Sequence, residues 1–513
     1  MAFITAYWGL DGLIVLTALI AAAYFYMTRK FNYWKKRGVL EMPPIPFFGN
    51  FSDCVFLKKS PGHFMKEFYD QAKGMPYIGF YILDRPCLLI RDRELVKNVL
   101  IKDFNYFADR YSSPDTKDRL GYANLFFLKS PAWKFLRTKL TPLFTSGKLK
   151  KMFELMLECG NNLEIYLDSL KLEGKGKELD AKDIAAKFTT DVIGSIAYGL
   201  QVNSLNNPNA EFREYGKKIF HFNFIRGFEF VATFFFPSIV RLAKMKTFGK
   251  EATVFLRKVF WDTILQRMAS GEKRNDLIDI LVELKKSYGD KDVGGGFKFD
   301  GDDLVAQAAV FFTAGYETSS SATSFTLYEI ALHREVQDRL RKEILDALDE
   351  SGGKITYDMV TSLPYLDMVV SETLRMYPTL PFLDRVVMDT YKVPNTDLVL
   401  EKGTPIYISM SGMHYDPEYF PDPNKFDPER FSEENKRNIP PCVYFPFGDG
   451  PRACIGARLG LLQTKLGLIK ILSKYEVEPS AQTLIPMIIN PKGLLTTSLT
   501  GHIHLNFRKV NAN

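Results

Sequence analysis

The ten residues Phe447-Gly448-Asp449-Gly450-Pro451-Arg452-Ala453-Cys454-Ile455-Gly456 constrain this chain more than any other stretch of it. Gly448 and Gly450 permit a tight backbone path at positive φ, and Pro451 is pre-set for a turn or a helix start. From Ile455 to Leu472 apolar residues recur at helical spacing. This pattern predicts Cys454 at a helix N-terminus, where the dipole and unpaired N–H groups lower the thiol pKa and favour thiolate. A thiolate held in this way is a good ligand for iron. Two other readings fit the same residues. A single cysteine beside an apolar helix also describes an inert buried side chain. Gly448-x-Gly450-x-x-Ala453 satisfies a dinucleotide-binding pattern as well, after strand-like Val443-Tyr444-Phe445 and with Glu476 or Glu478 as a ribose ligand. Against that pattern, Pro446 interrupts the strand and too little chain follows to complete a doubly wound sheet.

The chain has 513 residues, 46% of them hydrophobic and 14% aromatic, enough for one large core or several smaller ones. No long Gly/Ser/Pro linker and no repeat divides it, so one large catalytic domain behind an N-terminal anchor is the simplest organisation. The net charge of +7 comes without dense Lys/Arg runs, which argues against nucleic acid and suits a basic face for an acidic partner. Cys54, Cys87, Cys159, Cys442 and Cys454 are sparse, odd in number and without metal-type spacing, as in a reduced cytosolic environment. Cys442 reads as structural. His502 and His504 alternate in a strand-like segment and read as structural too.

Phe3 to Met27 is predominantly apolar with Asp11 its only charge, long enough as a helix to cross a bilayer core of about 30 Å. Arg29, Lys30, Lys35, Lys36 and Arg37 follow, and by the positive-inside rule they put the remaining chain in the cytosol. The alternative, a cleaved signal peptide ending near Ala21-Ala22-Ala23, lacks a basic n-region. Pro43-Pro44-Ile45-Pro46 then forms a stiff extended segment. Phe220 to Val240, with Phe220, Phe222, Phe224, Phe228, Phe230, Phe234, Phe235 and Phe236, reads either as core or as an interfacial element between Lys217-Lys218 and Lys244-Lys246.

A long helix is expected from Asp302 to about Glu335, capped by Asp300 or Asp302. Within it, Ala314 and Gly315 open a groove one turn before Thr318, whose hydroxyl bonds back to the Ala314 carbonyl. The other reading is a small-residue helix packed closely on a neighbour. Glu372-Thr373-Leu374-Arg375 places opposite charges on one helical face. Trp133-x-x-x-Arg137 shares a helical face as well, and on its own needs only an arginine lying over an indole.

Phe447 to Gly456 matches, position for position, the loop Phe-x-x-Gly-x-Arg-x-Cys-x-Gly, and Ala314 to Ser319 matches Ala/Gly-Gly-x-Glu/Asp-Thr-Thr/Ser. On these motifs the chain resembles the cytochromes P-450, the haem-thiolate monooxygenases, over nearly its whole length. It is most similar to insect microsomal enzymes that oxidise xenobiotics, with vertebrate drug-metabolising relatives next. The resemblance implies a mainly α fold with a small β region and one N-terminal transmembrane helix. It divides the chain into an anchor (1–28), a basic and proline-rich hinge (29–50) and a catalytic domain (51–513).

It further implies haem b with Cys454 as axial ligand, held by Phe447 and Gly448 on one side and by Ala314 and Gly315 on the other. Trp133, Arg137, Arg452 and, as a third arginine contact, Arg385 would face the propionates. Thr318 would steady dioxygen and Glu317 relay protons. Glu372, Arg375 and Arg430, the last within Phe426-Asp427-Pro428-Glu429-Arg430-Phe431, would form a buried triad behind the cysteine loop. One oxygen atom would enter an apolar small molecule, with NADPH electrons delivered by NADPH-cytochrome P-450 reductase and with cytochrome b5 as a further donor. Lys134, Lys139, Lys148, Lys150, Lys151, Arg458 and Lys465 would dock that partner. The site would lie at the endoplasmic reticulum membrane on its cytosolic face, with a pocket drawn from Phe107, Tyr111, Phe126, Phe127, Phe311, Phe312, Leu380, Phe382 and Leu495. Two rival functions are a haem-thiolate enzyme that rearranges peroxides and a membrane-tethered binding protein without turnover. The first usually alters the acid and alcohol that Glu317 and Thr318 preserve here.

Overall fold

The computed structural model describes residues 5, 7–207, 209–220, 223–491, 493, 497 and 501–510, so Phe222 and Leu495 lie outside the described residues. Ten helices carry the argument: α1 (Trp8–Thr28), α2 (Ala132–Leu140), α3 (Ser146–Ser169), α4 (Ala181–Tyr198), α5 (Glu211–Phe220), α6 (Phe224–Phe235), α7 (Lys250–Ser270), α8 (Gly301–Leu332), α9 (Pro364–Met376) and α10 (Ala457–Leu472). The mainly α fold with a small β region is as expected.

The core is built around α8. Asp300 caps it by accepting the Gly301 N–H at 2.7 Å. It ends at His333, whose extended backbone separates α8 from the next helix, starting at Arg334, so the run expected to reach Glu335 is two helices. Glycines set how closely the neighbours approach. A Cβ on Gly315 would overlap the Ile193 side chain of α4. Gly315 therefore serves helix packing and does not open the groove, as the sequence suggested. On α10, Gly460 faces Ser319 and Gly467 faces Phe188 and Thr323.

Strands β1 (Tyr77–Ile82), β2 (Arg85–Ile90), β3 (Lys177–Asp180), β4 (Phe382–Val386), β5 (Pro405–Ser409), β6 (Tyr475–Pro479) and β7 (His504–Lys509) form two sheets. The first has the order β1-β2-β5-β4, parallel only between β2 and β5, and pairs Arg385 with Ile406. The second has the order β3-β7-β6, all antiparallel. Val443, Tyr444 and Phe445 lie in a turn and coil, not a strand. Glu476 is buried on β6 with Arg334 at 2.6 Å. Neither observation fits a dinucleotide-binding unit.

Helix α1 is exposed along almost its whole length and has a mean hydropathy of 1.8, which makes it a candidate membrane span. The segment after it is not free of the body. Trp34 is fully buried, and Leu40 and Met42 exchange backbone hydrogen bonds with Gly79 of β1. The aromatic run 220–240 also divides: Phe234, Phe235 and Phe236 are buried, whereas Ile225, Phe228 and nearby Leu242 are exposed.

Because α1 is exposed along almost its whole length, touches the body through Tyr24 on Phe47, and leaves the Arg29–Asp84 pair behind when removed, deleting residues 1–28 is expected to move the thermal midpoint in detergent by no more than about 2 °C. Differential scanning calorimetry checks this; a fall of about 10 °C would show that the anchor is part of the folded core.

Candidate active site

The cysteine loop is closed by its own backbone. Gly448 and Gly450 have φ of 71° and 70°, and a Cβ on Gly450 would overlap the Leu100 carbonyl. Cys454 N–H donates to the Phe447 carbonyl at 2.8 Å, and Gly448 abuts Leu383 of β4. Cys454 precedes the helix, since Gly456 is the N-cap of α10. The expected fall in its pKa is reversed. Burial pushes the thiol up, and the Gly456 N–H, Arg137 and Arg110 only pull part of the way back. The protein alone therefore keeps a thiol here, and a bound metal cation is what would strip its proton. Of the five cysteines only Cys454 is exposed, although protein surrounds it closely.

The opposite wall is α8. Gly467 faces Thr323, Gly460 faces Ser319, and Gly456 meets Phe144, which stacks on Phe311 at 5.8 Å. Followed back along α10 towards Cys454, this register arrives beside Phe311 to Thr318. Ala314 is exposed there, in the middle of a helix otherwise largely buried. Three carbonyls of the turn accept side-chain donors: Ala314 from Thr318 Oγ1 at 2.6 Å, Tyr316 from Thr189 Oγ1 at 3.1 Å and Glu317 from Lys182 Nζ at 3.4 Å. Such insertions loosen a helix. The Thr318 bond is the one expected. Glu317 turns to α4, where Lys182 holds its carboxylate at 3.1 Å.

Beside the loop lies an unbalanced group of charges. Arg110, Lys129, Arg385 and Arg452 are gathered around two carboxylates, Asp109 and Asp384. Four cations against two anions leave two positive charges uncompensated. Burial, then the neighbouring cation Arg110, brings Arg385 down to about 9. Burial also lowers Lys129, to about 8, although both carboxylates oppose the shift. Arg452 is lowered by burial, then by Arg110 and Arg385. Its guanidinium lies 4.1 Å from the Trp133 ring centroid and bonds to Ala108, Leu128 and Phe126 carbonyls and to Asp109. Trp133 thus carries Arg452, not Arg137. Among the described residues, the buried side-chain donors without a partner include the Nε–H groups of Arg110 and Arg385 and the Ser112 hydroxyl in this corner. A buried donor without an acceptor costs about 1–3 kcal/mol, and with the surplus of positive charge this makes the corner suited to an anion.

Behind the loop, Arg375 makes a double hydrogen bond to Glu372 at 2.7 and 2.8 Å, both side chains fully buried. Arg430 Nε stands 3.4 Å from Glu372, and its Nη2 bonds the Asp422 carbonyl at 2.9 Å. The Asp427 N–H completes the carboxylate's contacts at 3.0 Å. The structure brings the three residues together as expected.

Residues 40–505 match the family model for Cytochrome P450. The chain belongs to the cytochrome P450 family. It is 46% identical to cytochrome P450 6k1 of Blattella germanica, over 98% of each chain, and 45% identical to probable cytochrome P450 6g2 of Drosophila melanogaster, over 96% of this chain and 97% of that one. It is also 43% identical to cytochrome P450 6j1 of Blattella germanica, over 95% of each chain. P450 enzymes are monooxygenases that use haem with a cysteine thiolate, dioxygen and NADPH electrons from a reductase.

The P450 cofactor suits these residues. Haem b would bring an iron cation to the Cys454 thiol and two carboxylates to a surplus of two positive charges. The sequence reading missed Arg110 and Lys129, which no periodicity marks. It also missed His414, which is fully buried, accepts the Phe445 N–H at Nε2 (3.2 Å) and lies 3.2 Å from the Arg375 carbonyl through Nδ1. This P450 ties the triad to the cysteine loop through that imidazole. Some expected residues lie elsewhere: Phe107 packs on Tyr391, and Phe312 on Phe212 and Tyr198, in the core rather than the cleft. Lys465 is buried against Asp367 and is not a docking cation.

Glu372→Gln leaves Arg375 as an uncompensated buried charge, and is expected to cost about 3–5 kcal/mol in chemical unfolding. Burial and Arg375 lower His414 from 6.5 to about 3. The unfolded chain therefore takes up this proton first, and the stability from neutral His414 is lost progressively as pH falls from 6.5 towards about 3. Thermal melts across that range should fall less steeply for His414→Gln than for the native chain; parallel slopes would remove His414 from the account.

Proposed function

We propose that this P450 inserts one oxygen atom from dioxygen into apolar small molecules such as xenobiotics, plant toxins, insecticides or endogenous lipophiles. What supports this reading is the register of α10 on α8, which runs from Gly467 and Gly460 back towards the cysteine loop and the Ala314–Thr318 turn, together with a buried surplus of two positive charges nearby. Cys454 would be the axial ligand. Arg110 and Arg385 would donate to the propionates, while Arg452 and Lys129 add positive charge and Trp133 and Arg137 complete that wall. Phe447, Gly448 and Ala314 would bound the haem. Bound haem supplies the redox iron at which dioxygen is reduced and cleaved.

The chain's own residues do the rest. Thr318, bonded to the Ala314 carbonyl, presents its hydroxyl oxygen to the cleft and passes a proton along it. Glu317 receives protons on the α4 side of the same turn. Phe234 packs on Phe126 and Phe127, and Phe235 on Phe382, an apolar cover that excludes water and favours apolar substrates. The intact Glu317–Thr318 pair favours monooxygenation over peroxide rearrangement, and the cleft between two chemically equipped walls favours turnover over simple binding.

Residues 1–28 would anchor the chain in the endoplasmic reticulum, with 29–50 as a basic, proline-rich connection seated on β1 and 51–513 as the catalytic domain in the cytosol. Exposed Lys134, Lys150, Lys151 and Arg458 would meet an acidic flavoprotein reductase, and cytochrome b5 on the same face.

The test is the carbon monoxide difference spectrum of reduced protein, followed by turnover of an apolar compound panel in vesicles with added reductase. A thiolate-type long-wavelength band is expected in the native protein and absent in Cys454→Ala; its absence from well-folded native protein would overturn the reading. Thr318→Ala should keep haem yet lower product per NADPH about tenfold or more, with peroxide rising in its place. An unchanged yield would remove Thr318 from proton transfer.

A further inference from the structure

Away from the cysteine loop, the structure holds an open cavity of about 370 Å³. It lies between the helix Pro61–Gln71, the chain 376–381 that joins α9 to β4, and the short helix Met410–His414 with Tyr415. Its size falls within the range of small-molecule sites, about 300–1,000 Å³. At the roughly 30 Å³ that a water occupies in the liquid, it has room for about twelve groups of that size, too few for a two-chain lipid. None of its lining residues is among those placed around the haem.

The wall from 376 to 381 is apolar because its carbonyls are already taken. Met376 accepts from the Tyr415 hydroxyl at 2.9 Å, Pro378 from Thr497 Oγ1 at 2.6 Å, Thr379 from the Thr497 N–H at 3.0 Å and Pro381 from the Ser411 N–H at 3.0 Å. What this wall offers a ligand is the Met376 side chain and the rings of Pro378 and Pro381.

The helix Pro61–Gln71 contributes His63 and Lys66, one turn apart on one face. Its cap, Ser60, accepts the His63 N–H at 3.3 Å through Oγ, which also lies 3.2 Å from His63 Nδ1. The hydroxyl hydrogen is left for Nδ1, so the imidazole proton sits on Nε2, and among the described residues no acceptor takes it. Burial lowers the His63 pKa, which keeps the ring a neutral donor. Lys66 gives one of its three N–H donors to Asp70 at 2.7 Å, in an exposed pair that is easily shared. Its ammonium stands 5.9 Å from the Tyr415 ring centroid. No aspartate or glutamate is among the described residues that line the cavity. A cationic ligand would therefore meet Lys66 with no lining carboxylate to offset it.

We propose that this cavity is a second small-molecule site, separate from the haem site, for a carboxylate with an apolar body of about ten carbons. The carboxylate accepts from Lys66 Nζ and His63 Nε2, and the body lies on Met376, Pro378 and Pro381. The chain 376–381 runs directly into β4, which carries Asp384 and Arg385. An occupied cavity thus braces that strand from outside.

Decanoate is the probe, on the haem-loaded full-length enzyme in detergent whose active site is first filled by an azole that ligates the iron. Equilibrium dialysis against the same detergent should find one decanoate per chain, and a diazirine-bearing decanoate should label residues 61–71 or 376–381. Lys66→Met should weaken binding about tenfold or more, because a hydrogen bond between two charged groups is lost, and Lys66→Arg should keep most of it. Decan-1-ol should bind about tenfold more weakly than decanoate for the same reason. Ser411→Phe puts a ring into the cavity without changing its charge and should abolish uptake. The carbon monoxide spectrum should stay native in all three variants, which shows that they fold. Absence of stoichiometric uptake overturns the proposal, as does uptake that Lys66→Met and Ser411→Phe leave unchanged. Label confined to residues placed around the haem, or equal binding of decan-1-ol, overturns it too.

Discussion

Two uncompensated positive charges buried between β4, α2 and the cysteine loop are the constraint on which the rest of this site depends. Arginine does not give up its proton in a protein, so Arg110, Arg385 and Arg452 stay charged where Asp109 and Asp384 cannot balance them together with Lys129. The fold tolerates this only because backbone carbonyls and the Trp133 ring take up the donors of Arg452. A dianion would turn that cost into binding energy. The two propionates of haem are such a dianion, and Arg110, Arg385, Arg452 and Lys129 are the residues that would hold them.

The thiol tells the same story with the opposite sign. Burial raises Cys454, and a bound iron cation would favour its thiolate. One corner lacks negative charge, and the other holds a thiol that Arg137 and Arg110 pull only part of the way towards thiolate. Haem answers both in a single rigid molecule. The rigidity behind the loop, from the Glu372–Arg375 pair through His414 to Phe445, keeps the sulfur in place while the ring is gripped by its other end.

Much of this was legible in the sequence where chemistry is written as spacing. Gly450 could be nothing but glycine against the Leu100 carbonyl, Thr318 reaches its own turn at i−4, and Glu372 with Arg375 lie one helical turn apart. These are local rules, and they survive folding. What remained hidden was tertiary. Arg110, Lys129 and His414 stand alone in the chain and gain meaning only from partners on other elements, Asp384 for Arg110, the Arg110 and Ser112 carbonyls for Lys129, and Arg375 and Phe445 for His414. Gly315 was misread for a related reason: a small residue in a helix announces close approach but not what approaches, and here it is Ile193. The phenylalanine run 220–240 was ambiguous because core and surface aromatics look alike until the helix faces are known.

The most direct measurement compares haem with its dimethyl ester, in which both propionates are neutral, on the same haem-depleted full-length protein in detergent. The account predicts that haem binds stoichiometrically and raises the thermal midpoint, whereas the ester binds weakly and raises it far less, because the surplus on Arg110, Arg385, Arg452 and Lys129 stays unpaid. Equal affinity and equal stabilisation by the two would contradict the claim that this buried charge exists to hold the cofactor.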